Sequence, residues 1–151
     1  MCSDEVDAIV SDFTALASED DYVAPAAFFT LASGSNRMAL SYTDTTLGVM
    51  RAATTIWLPV LSKNHWVLAI ANTESGEVTL LDSLAPTTGK RPAALWKCIR
   101  VALSYPWEKV KMKSPTWLWQ GYTSCTQQPE IPPGITVCLL YVVPDLSAQF
   151  C

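Results

Sequence analysis

The sequence predicts an α+β fold in which helices flank a central sheet. Three short segments rich in β-branched and aromatic residues follow one another in mid-chain, at residues 54–60, 66–71 and 77–81. Their residues are apolar on both faces, which is typical of a sheet covered on both sides. Segments with helical spacing of apolar residues lie before and after them, so we expect helices packed against the sheet.

The predicted helices and loops follow from capping residues, breakers and apolar spacing. Residues 4–17 follow Ser3, a suitable N-cap, and repeat apolar residues at helical spacing, which predicts an amphipathic helix. Pro92 suits the first turn of a later helix. The other predicted elements are an apolar segment over 26–31, helices over 43–53 and 92–104, an extended Trp-rich segment over 107–125, and a short helix or buried strand over 135–143.

Length and composition narrow the class of protein. The chain has 151 residues, half of them hydrophobic, with five cysteines and one histidine. We expect one domain over residues 1–151, with truncation at the C-terminus left open. The composition excludes disorder, no apolar run is long enough to span a membrane, and the acidic N-terminus does not resemble a secretory signal. Five irregularly spaced cysteines predict neither a disulfide framework nor a zinc site, so we expect an intracellular protein, nuclear or cytoplasmic, without metal.

Charge is unevenly distributed along the chain. Residues 1–21 carry seven acids and no base, whereas residues 90–113 carry seven bases and only one acid, Glu108. The net charge is −4 and no nucleic-acid motif accompanies the basic stretch, so nucleic-acid binding is disfavoured. Residues 90–113 are therefore interpreted as a solvated helix face or as the binding site of an acidic partner, unless the acidic N-terminus offsets them within the fold.

The predicted hairpin between the second and third strands carries the first chemical signal. His65 lies at the start of one strand and Asp82 lies 17 residues later, at the end of the next. If the turn is centred between Thr73 and Glu74, the two residues face each other directly, with Cβ atoms about 5 Å apart. A carboxylate at that distance fixes the imidazole tautomer that a general base requires. A bulge at Gly76 would break this register, and a surface histidine that faces an aspartate by chance is the alternative.

Several stretches, in order, resemble the ubiquitin-like-protein-specific proteases. These are SUMO-protease-like cysteine peptidases related to the adenovirus protease. The central stretches are Trp57-Leu58-Pro59-Val60, Asn64-His65-Trp66-Val67-Leu68 and Leu81-Asp82-Ser83-Leu84. The outer stretches are Ser3-Asp4-Glu5-Val6, Phe28-Phe29, Cys125-Thr126-Gln127-Gln128-Pro129 and Gly134-Ile135-Thr136-Val137-Cys138. The resemblance implies a cysteine-proteinase (adenain-like) fold with a central mixed sheet. It also implies an enzyme that needs no cofactor and cleaves after the di-glycine of a ubiquitin-like modifier or its conjugates.

The same resemblance implies roles for individual residues. His65 is the general base and Asp82 is its orienting partner. Gln127 or Gln128 donates a hydrogen bond to the oxyanion. Trp66 forms a wall of the narrow tunnel that admits the di-glycine tail of the substrate.

The chain departs from the family pattern at the nucleophile. The family has an Asp-Cys-Gly triplet at a helix N-terminus, which lowers the pKa of the cysteine thiol. Alignment on Gly134 places Pro132 at the aspartate and Pro133 at the cysteine, in a loop one residue short. Proline has neither a thiol nor a backbone N–H, so Pro133 removes the nucleophile and a main-chain oxyanion donor. Because proline suits the first turn of a helix, the fold survives and the predicted protease is inactive or impaired.

Four alternatives stay open at this point. An active thiol protease would use another cysteine, Cys125 first and Cys138 second, with Cys2, Cys98 and Cys151 structural or incidental. An acyltransferase would share the same triad and fold. A domain without enzymatic activity would bind the modifier or an acidic partner. Finally, a mis-joined exon across residues 128–134 would remove the Asp-Cys pair from the sequence.

The chain also departs from the family pattern at its start, because Met1 stands where the family has a tryptophan that lines the tunnel.

Overall fold

The computed structural model describes residues 11, 19–62, 65–82 and 90–123 of the chain. The predicted segment over 135–143 lies outside the described residues, and so does the predicted helix over 4–17 apart from residue 11. The described elements, in chain order, are β1 (Asp21–Val23), α1 (Phe28–Ala32), a 3-10 turn (Arg37–Ala39), α2 (Asp44–Ala52), β2 (Thr55–Ser62), β3 (His65–Asn72), β4 (Glu77–Leu81), α3 (Ala93–Glu108) and β5 (Leu118–Thr123).

The five described strands form one mixed sheet in the order β1-β2-β3-β4-β5. The outer pairs, β1 with β2 and β4 with β5, are parallel, and the two inner pairs are antiparallel. Helices and strands therefore form the α+β fold with a central mixed sheet that the sequence predicts. Because β4 and β5 are parallel, their C-terminal ends lie at the same edge of the sheet.

Pro59 is accommodated in β2 by the short length of β1. The carbonyl of Trp57 accepts a hydrogen bond from the N–H of Ala24 at 2.8 Å, so the backbone groups of Trp57 point toward β1. Backbone groups two residues further along a strand point the same way, and β1 ends at Val23. The N–H that proline lacks would thus point to a side where the described residues place no strand, as expected for a proline in a sheet.

Both faces of the sheet are buried. All three described helices contribute residues to the hydrophobic core on one face, where alternate strand residues are buried: Ile56, Leu58, Val60, Val67, Ala69, Ala71, Val78 and Leu80. The opposite face carries six further buried residues: Val23, Trp57, Pro59, Trp66, Leu68 and Leu81. Fully burying a Val, Leu or Ile side chain contributes about 1.5–3 kcal/mol, so the contacts between sheet and helices stabilise the described part of the chain.

The helix predicted over 43–53 is confirmed as α2. The side-chain oxygen of Thr43 accepts a hydrogen bond from the N–H of Thr46 at 3.2 Å and caps the helix. Leu47 and Met50, three residues apart, are fully buried against the core. The cap and the apolar spacing are both local features of the sequence, and together they account for a helix at these residues.

The prediction that α3 ends at residue 104 is wrong, because the helix continues for four more residues with Pro106 inside it. A proline in a helix interior loses one backbone hydrogen bond and costs about 3 kcal/mol. Tyr105 and Trp107 are buried in the core on either side of it. Arg51 of α2 donates a hydrogen bond from Nη1 to the carbonyl of Pro106 at 2.6 Å. Tertiary packing therefore holds a final turn that the local sequence disfavours.

β5 contains a bulge. Gln120 has no counterpart on β4, and Gly121 beside it has a φ of 133°, a conformation that favours glycine. Trp119 and Tyr122 are three residues apart and would point to opposite faces of a regular strand. With the bulge, both residues pair with β4 residues of the helix-covered face, and the Trp119 ring meets the Trp96 ring edge-on at 5.5 Å.

Candidate functional site

The β3–β4 hairpin brings His65 and Asp82 to the same edge of the sheet, in a register that differs from the predicted one. Leu68 pairs with Leu81, and continuing that register by one residue places Asp82 opposite Val67. The prediction that His65 and Asp82 are directly opposed is therefore wrong by two residues. Their backbone positions are diagonal on one face of the hairpin, and such positions are about 7–8 Å apart.

The turn explains the difference in register. The side-chain oxygen of Asn72 accepts hydrogen bonds from the N–H groups of Glu74 and Ser75, at 2.9 and 3.0 Å. Gly76, with a φ of 79°, donates its own N–H to the carbonyl of Asn72 at 2.8 Å. The hairpin is thus centred between Glu74 and Ser75, one residue later than the predicted centre between Thr73 and Glu74. A shift of the centre by one residue moves every opposed partner by two.

Asp82 lies against a cavity at this edge of the sheet. Its side chain is 9% exposed, directly after the end of β4. The cavity has a volume of about 680 Å³ and separates the sheet edge from the first turns of α3. We call it the Asp82 pocket, and its principal lining residues are Phe29, Val67, Asp82, Leu95, Cys98 and Tyr122. The pocket is a mainly apolar cleft with one buried carboxylate, as small binding sites commonly are.

Tyr122 is a residue of the pocket that the sequence reasoning missed. Burial, and secondarily the nearby negative charge of Asp82, raise the pKa of the Tyr122 phenol above its usual value. The shift keeps the phenol a neutral hydrogen-bonding group to a higher pH than for an exposed tyrosine. The only sequence signal for its position is Gly121, because the bulge at that glycine turns Tyr122 toward the pocket.

Trp66 lies on the opposite face of the sheet from the Asp82 pocket. It is 2% exposed and pairs with Leu61 in the β2–β3 register. Its indole N–H is buried and has no acceptor among the described residues. A buried donor without an acceptor is costly, and such groups commonly face a water, an ion or a ligand. The predicted role of Trp66 in a substrate tunnel stays a prediction.

Several predicted site residues lie outside the described residues: Cys125, Gln127, Gln128, Pro132, Pro133 and Cys138. Cys98, which the sequence predicts to be structural or incidental, is an exposed free thiol on the wall of the Asp82 pocket. Asp82 is the one predicted catalytic residue whose side chain the structure describes. The roles of His65 and Asp82 as base and orienting partner stay predictions.

Other features of the described residues do not add to this site. A second cavity of about 670 Å³ lies by the β3–β4 turn, with Arg51, Gly76 and Trp107 in its wall, and contains no predicted site residue. Within the described ranges, no group of three or more His, Cys, Asp or Glu residues could hold a metal ion. No helix of the described part is long and apolar enough to cross a membrane.

The fold is that of a cysteine protease of the Ulp1 type. The chain is similar to the C-terminal Ulp1 protease domain solved in complex with Smt3, the yeast orthologue of SUMO, with a TM-score of 0.56 and 18% identity over 95% of this chain. It is also similar to the SUMO protease Ulp1 with its catalytic cysteine oxidised to a sulfenic acid, with a TM-score of 0.59 and 16% identity over 99% of this chain. The implied adenain-like fold is thereby confirmed.

The likeness is one of fold and not of sequence. No protein-family model and no curated protein sequence matches the chain. The chain spans 64% and 66% of the lengths of these two Ulp1 chains. Identity of this level establishes the architecture, and the chemistry has to be argued from the residues of this chain.

Proposed function

We propose that this chain is a ubiquitin-like-modifier-binding domain derived from a Ulp1-type cysteine protease and impaired in catalysis. The observation that carries the proposal is the combination of the Ulp1-type fold with His65 and Asp82 at one edge of the sheet. Structures similar to this chain include Ulp1 bound to the yeast orthologue of SUMO, which supports a ubiquitin-like modifier as the partner.

In the proposed site, acyl transfer would require a general base, a residue that orients this base, and an oxyanion donor. His65 would take the proton from a thiol and later return it to the leaving amine, while Asp82 orients the imidazole. The burial of Asp82 supports this role, because a carboxylate shielded from water interacts more strongly with an imidazolium. Gln127 or Gln128 would donate a hydrogen bond to the oxyanion of the tetrahedral intermediate.

The impairment follows from the position that the nucleophile should occupy. Pro133 stands at that position, and Pro132 stands at the aspartate before it. Proline supplies neither a thiolate to attack the carbonyl nor an N–H for the oxyanion. The domain would keep the base and its partner without a group on which they could act.

Binding of the modifier tail would survive this loss, because it depends on Trp66 rather than on a thiol. The indole of Trp66 is buried, and its N–H has no acceptor within the described part of the chain. A backbone carbonyl of an extended di-glycine tail is an acceptor of suitable size, and glycine fits a tunnel that excludes side chains. Trp66→Phe, which removes the N–H and keeps the ring, is expected to weaken modifier binding by about fivefold to tenfold.

A labelling experiment tests the proposal. SUMO and ubiquitin, each with a thiol-reactive group in place of the terminal carboxylate, are incubated with the chain, and adducts are followed by gel shift. We expect no adduct with either modifier. An adduct that is lost in Cys125→Ser and kept in the matched control Cys98→Ser would overturn the proposal that catalysis is impaired. It would show an active protease that uses Cys125.

Binding is measured separately from labelling. Unreactive SUMO and ubiquitin are titrated against the chain by calorimetry. We expect one of them to bind with a Kd in the micromolar range, which corresponds to a binding free energy on the order of −8 kcal/mol. Absence of both binding and labelling would contradict the proposal and leave a domain that interacts with other partners.

A further inference from the structure

We propose that one side of α3 is a docking surface for an acidic segment of a partner protein. The surface consists of Lys90 and Arg91, which precede α3, and of Lys97 and Arg100 on its exposed side. We call these four residues the basic helix face. The proposal concerns this face alone and does not depend on any protease-like activity of the domain.

Within the described ranges, no acidic side chain neutralises the charge of the basic helix face. In the part of the chain that the structure describes, none of its four residues has an ion-pair or hydrogen-bond partner, and all four are exposed. Glu108, the one acid of residues 90–113, forms an ion pair with Arg37 at 2.5 Å instead. The first turn of α3 carries no acidic residue, although the helix dipole favours acids there. Because positive charge before a helix N-terminus is unfavourable, a bound anionic group would stabilise this part of the chain.

The guanidinium of Arg100 contacts a buried tryptophan on the same helix. It lies over the Trp96 ring at 5.6 Å, and Trp96 in turn packs edge-on against Trp119 of β5. Arg100 is exposed, and a guanidinium can bind a carboxylate through two parallel hydrogen bonds. A guanidinium that is already immobilised loses less side-chain entropy when it binds than a free one does.

The basic helix face borders the Asp82 pocket. Ala94 and Cys98 of α3 line the pocket, and Lys97 lies between them on the helix. Arg91 directly precedes Pro92, which also lines the pocket. An acidic segment on this face would therefore run along the rim of the pocket, so the pocket is accessible to the residues next to that segment.

A protein partner fits this surface better than a nucleic acid does. The chain has a net charge of −4, so a long polyanion would be repelled by the chain as a whole more than a short acidic segment would. A short acidic segment needs only the local field, which extends about 8–10 Å at physiological salt. The four basic residues lie within eleven consecutive residues, 90–100, a span that a short peptide can match.

The test is a titration of the intact chain with a fluorescein-labelled peptide of about twelve residues rich in Asp and Glu, at salt concentrations of about 50 and about 200 mM. Lys97→Glu/Arg100→Glu is compared with Lys111→Glu/Lys113→Glu, which changes the net charge equally at the other end of α3. We expect the first pair to weaken binding by about tenfold or more, because attraction becomes repulsion, and the second by less than about twofold.

Three results would overturn the proposal. The first is an equal loss in both double variants, which would show a response to net charge alone. The second is no binding of the peptide at the lower salt concentration. The third is a duplex DNA or a single-stranded RNA of similar charge that binds more tightly than the peptide and is released by Lys97→Glu/Arg100→Glu. Urea unfolding of each variant confirms that it folds.

Discussion

Three glycines offer a test of the backbone geometry that forms the candidate site, because the same substitution has three different expected effects. Gly48 lies within α2, Gly76 closes the β3–β4 turn, and Gly121 forms the bulge in β5. Each is replaced by alanine, one at a time, and the free energy of unfolding is compared with that of the original chain.

The expected magnitudes follow from backbone angles and free space. A Cβ on Gly48 would meet only Arg51 Nη2, at an ordinary 3.7 Å, so Gly48→Ala stabilises the helix by about 1 kcal/mol. A Cβ on Gly121 has nothing within 4 Å, and the cost of about 1–3 kcal/mol comes from its φ of 133° alone. A Cβ on Gly76 would lie 2.1 Å from the carbonyl oxygen of Thr116, and its φ is 79°. Strain and overpacking together then cost about 2–5 kcal/mol.

Urea unfolding at neutral pH, followed by tryptophan fluorescence, gives the midpoints, and a common slope allows the free energies to be compared. The expected order of stability is Gly48→Ala, the original chain, Gly121→Ala and then Gly76→Ala. A Gly121→Ala variant within about 0.5 kcal/mol of the original chain would show that β5 has no strained bulge and that the placement of Tyr122 is wrong.

Three further outcomes are expected. Thr43→Ala should lower the free energy of unfolding by about 1 kcal/mol, because it removes the α2 cap. The control Thr45→Ala, at an exposed position of the same helix, should not lower it. Equal urea midpoints for the two variants would contradict the cap. Because burial and Asp82 raise the pKa of Tyr122, the unfolded chain loses this proton first, so stability should fall as pH rises above about 10. Tyr122→Phe should make that fall shallower in urea titrations at successive alkaline pH values, and an unchanged slope would count against the contact. Pro133→Cys should restore little hydrolysis of a SUMO reporter, because the resemblance implies that the aspartate is also missing at Pro132 and that the loop is one residue short. Hydrolysis at the rate of a Ulp1 control would refute this.

The middle of the fold could be predicted from the sequence because its signals are local. β4 has the bounds that its apolar residues predict, and the segments predicted over 54–60 and 66–71 become β2 and β3 with small extensions. The cap at Thr43 likewise marks the start of α2. The end of α3 could not be predicted, because Pro106 is a strong local stop signal that only the burial of its neighbours overrides.

The candidate site was predictable in its location and not in its detail. His65 and Asp82 are 17 residues apart with a turn between them, and this brings both to one edge of the sheet. Their relative register depends on which residue of the turn adopts a positive φ, and Gly76 does so in a way that the sequence alone leaves open. Tyr122 depends on a bulge one residue long, which shifts a side chain from one face to the other without a change in composition.

The parallel pairing of β4 with β5 has a consequence for the order in which the site can form. The β3–β4 hairpin closes over a turn of a few residues, whereas Tyr122 lies 40 residues after Asp82 and reaches it only once α3 has crossed the sheet. Contacts between residues so far apart in sequence form late, since the entropy of closing the long loop opposes them first. We therefore expect the hairpin that ends at Asp82 to form before the wall that contains Tyr122. The pocket is a property of the completed sheet, and any intermediate without β5 lacks it.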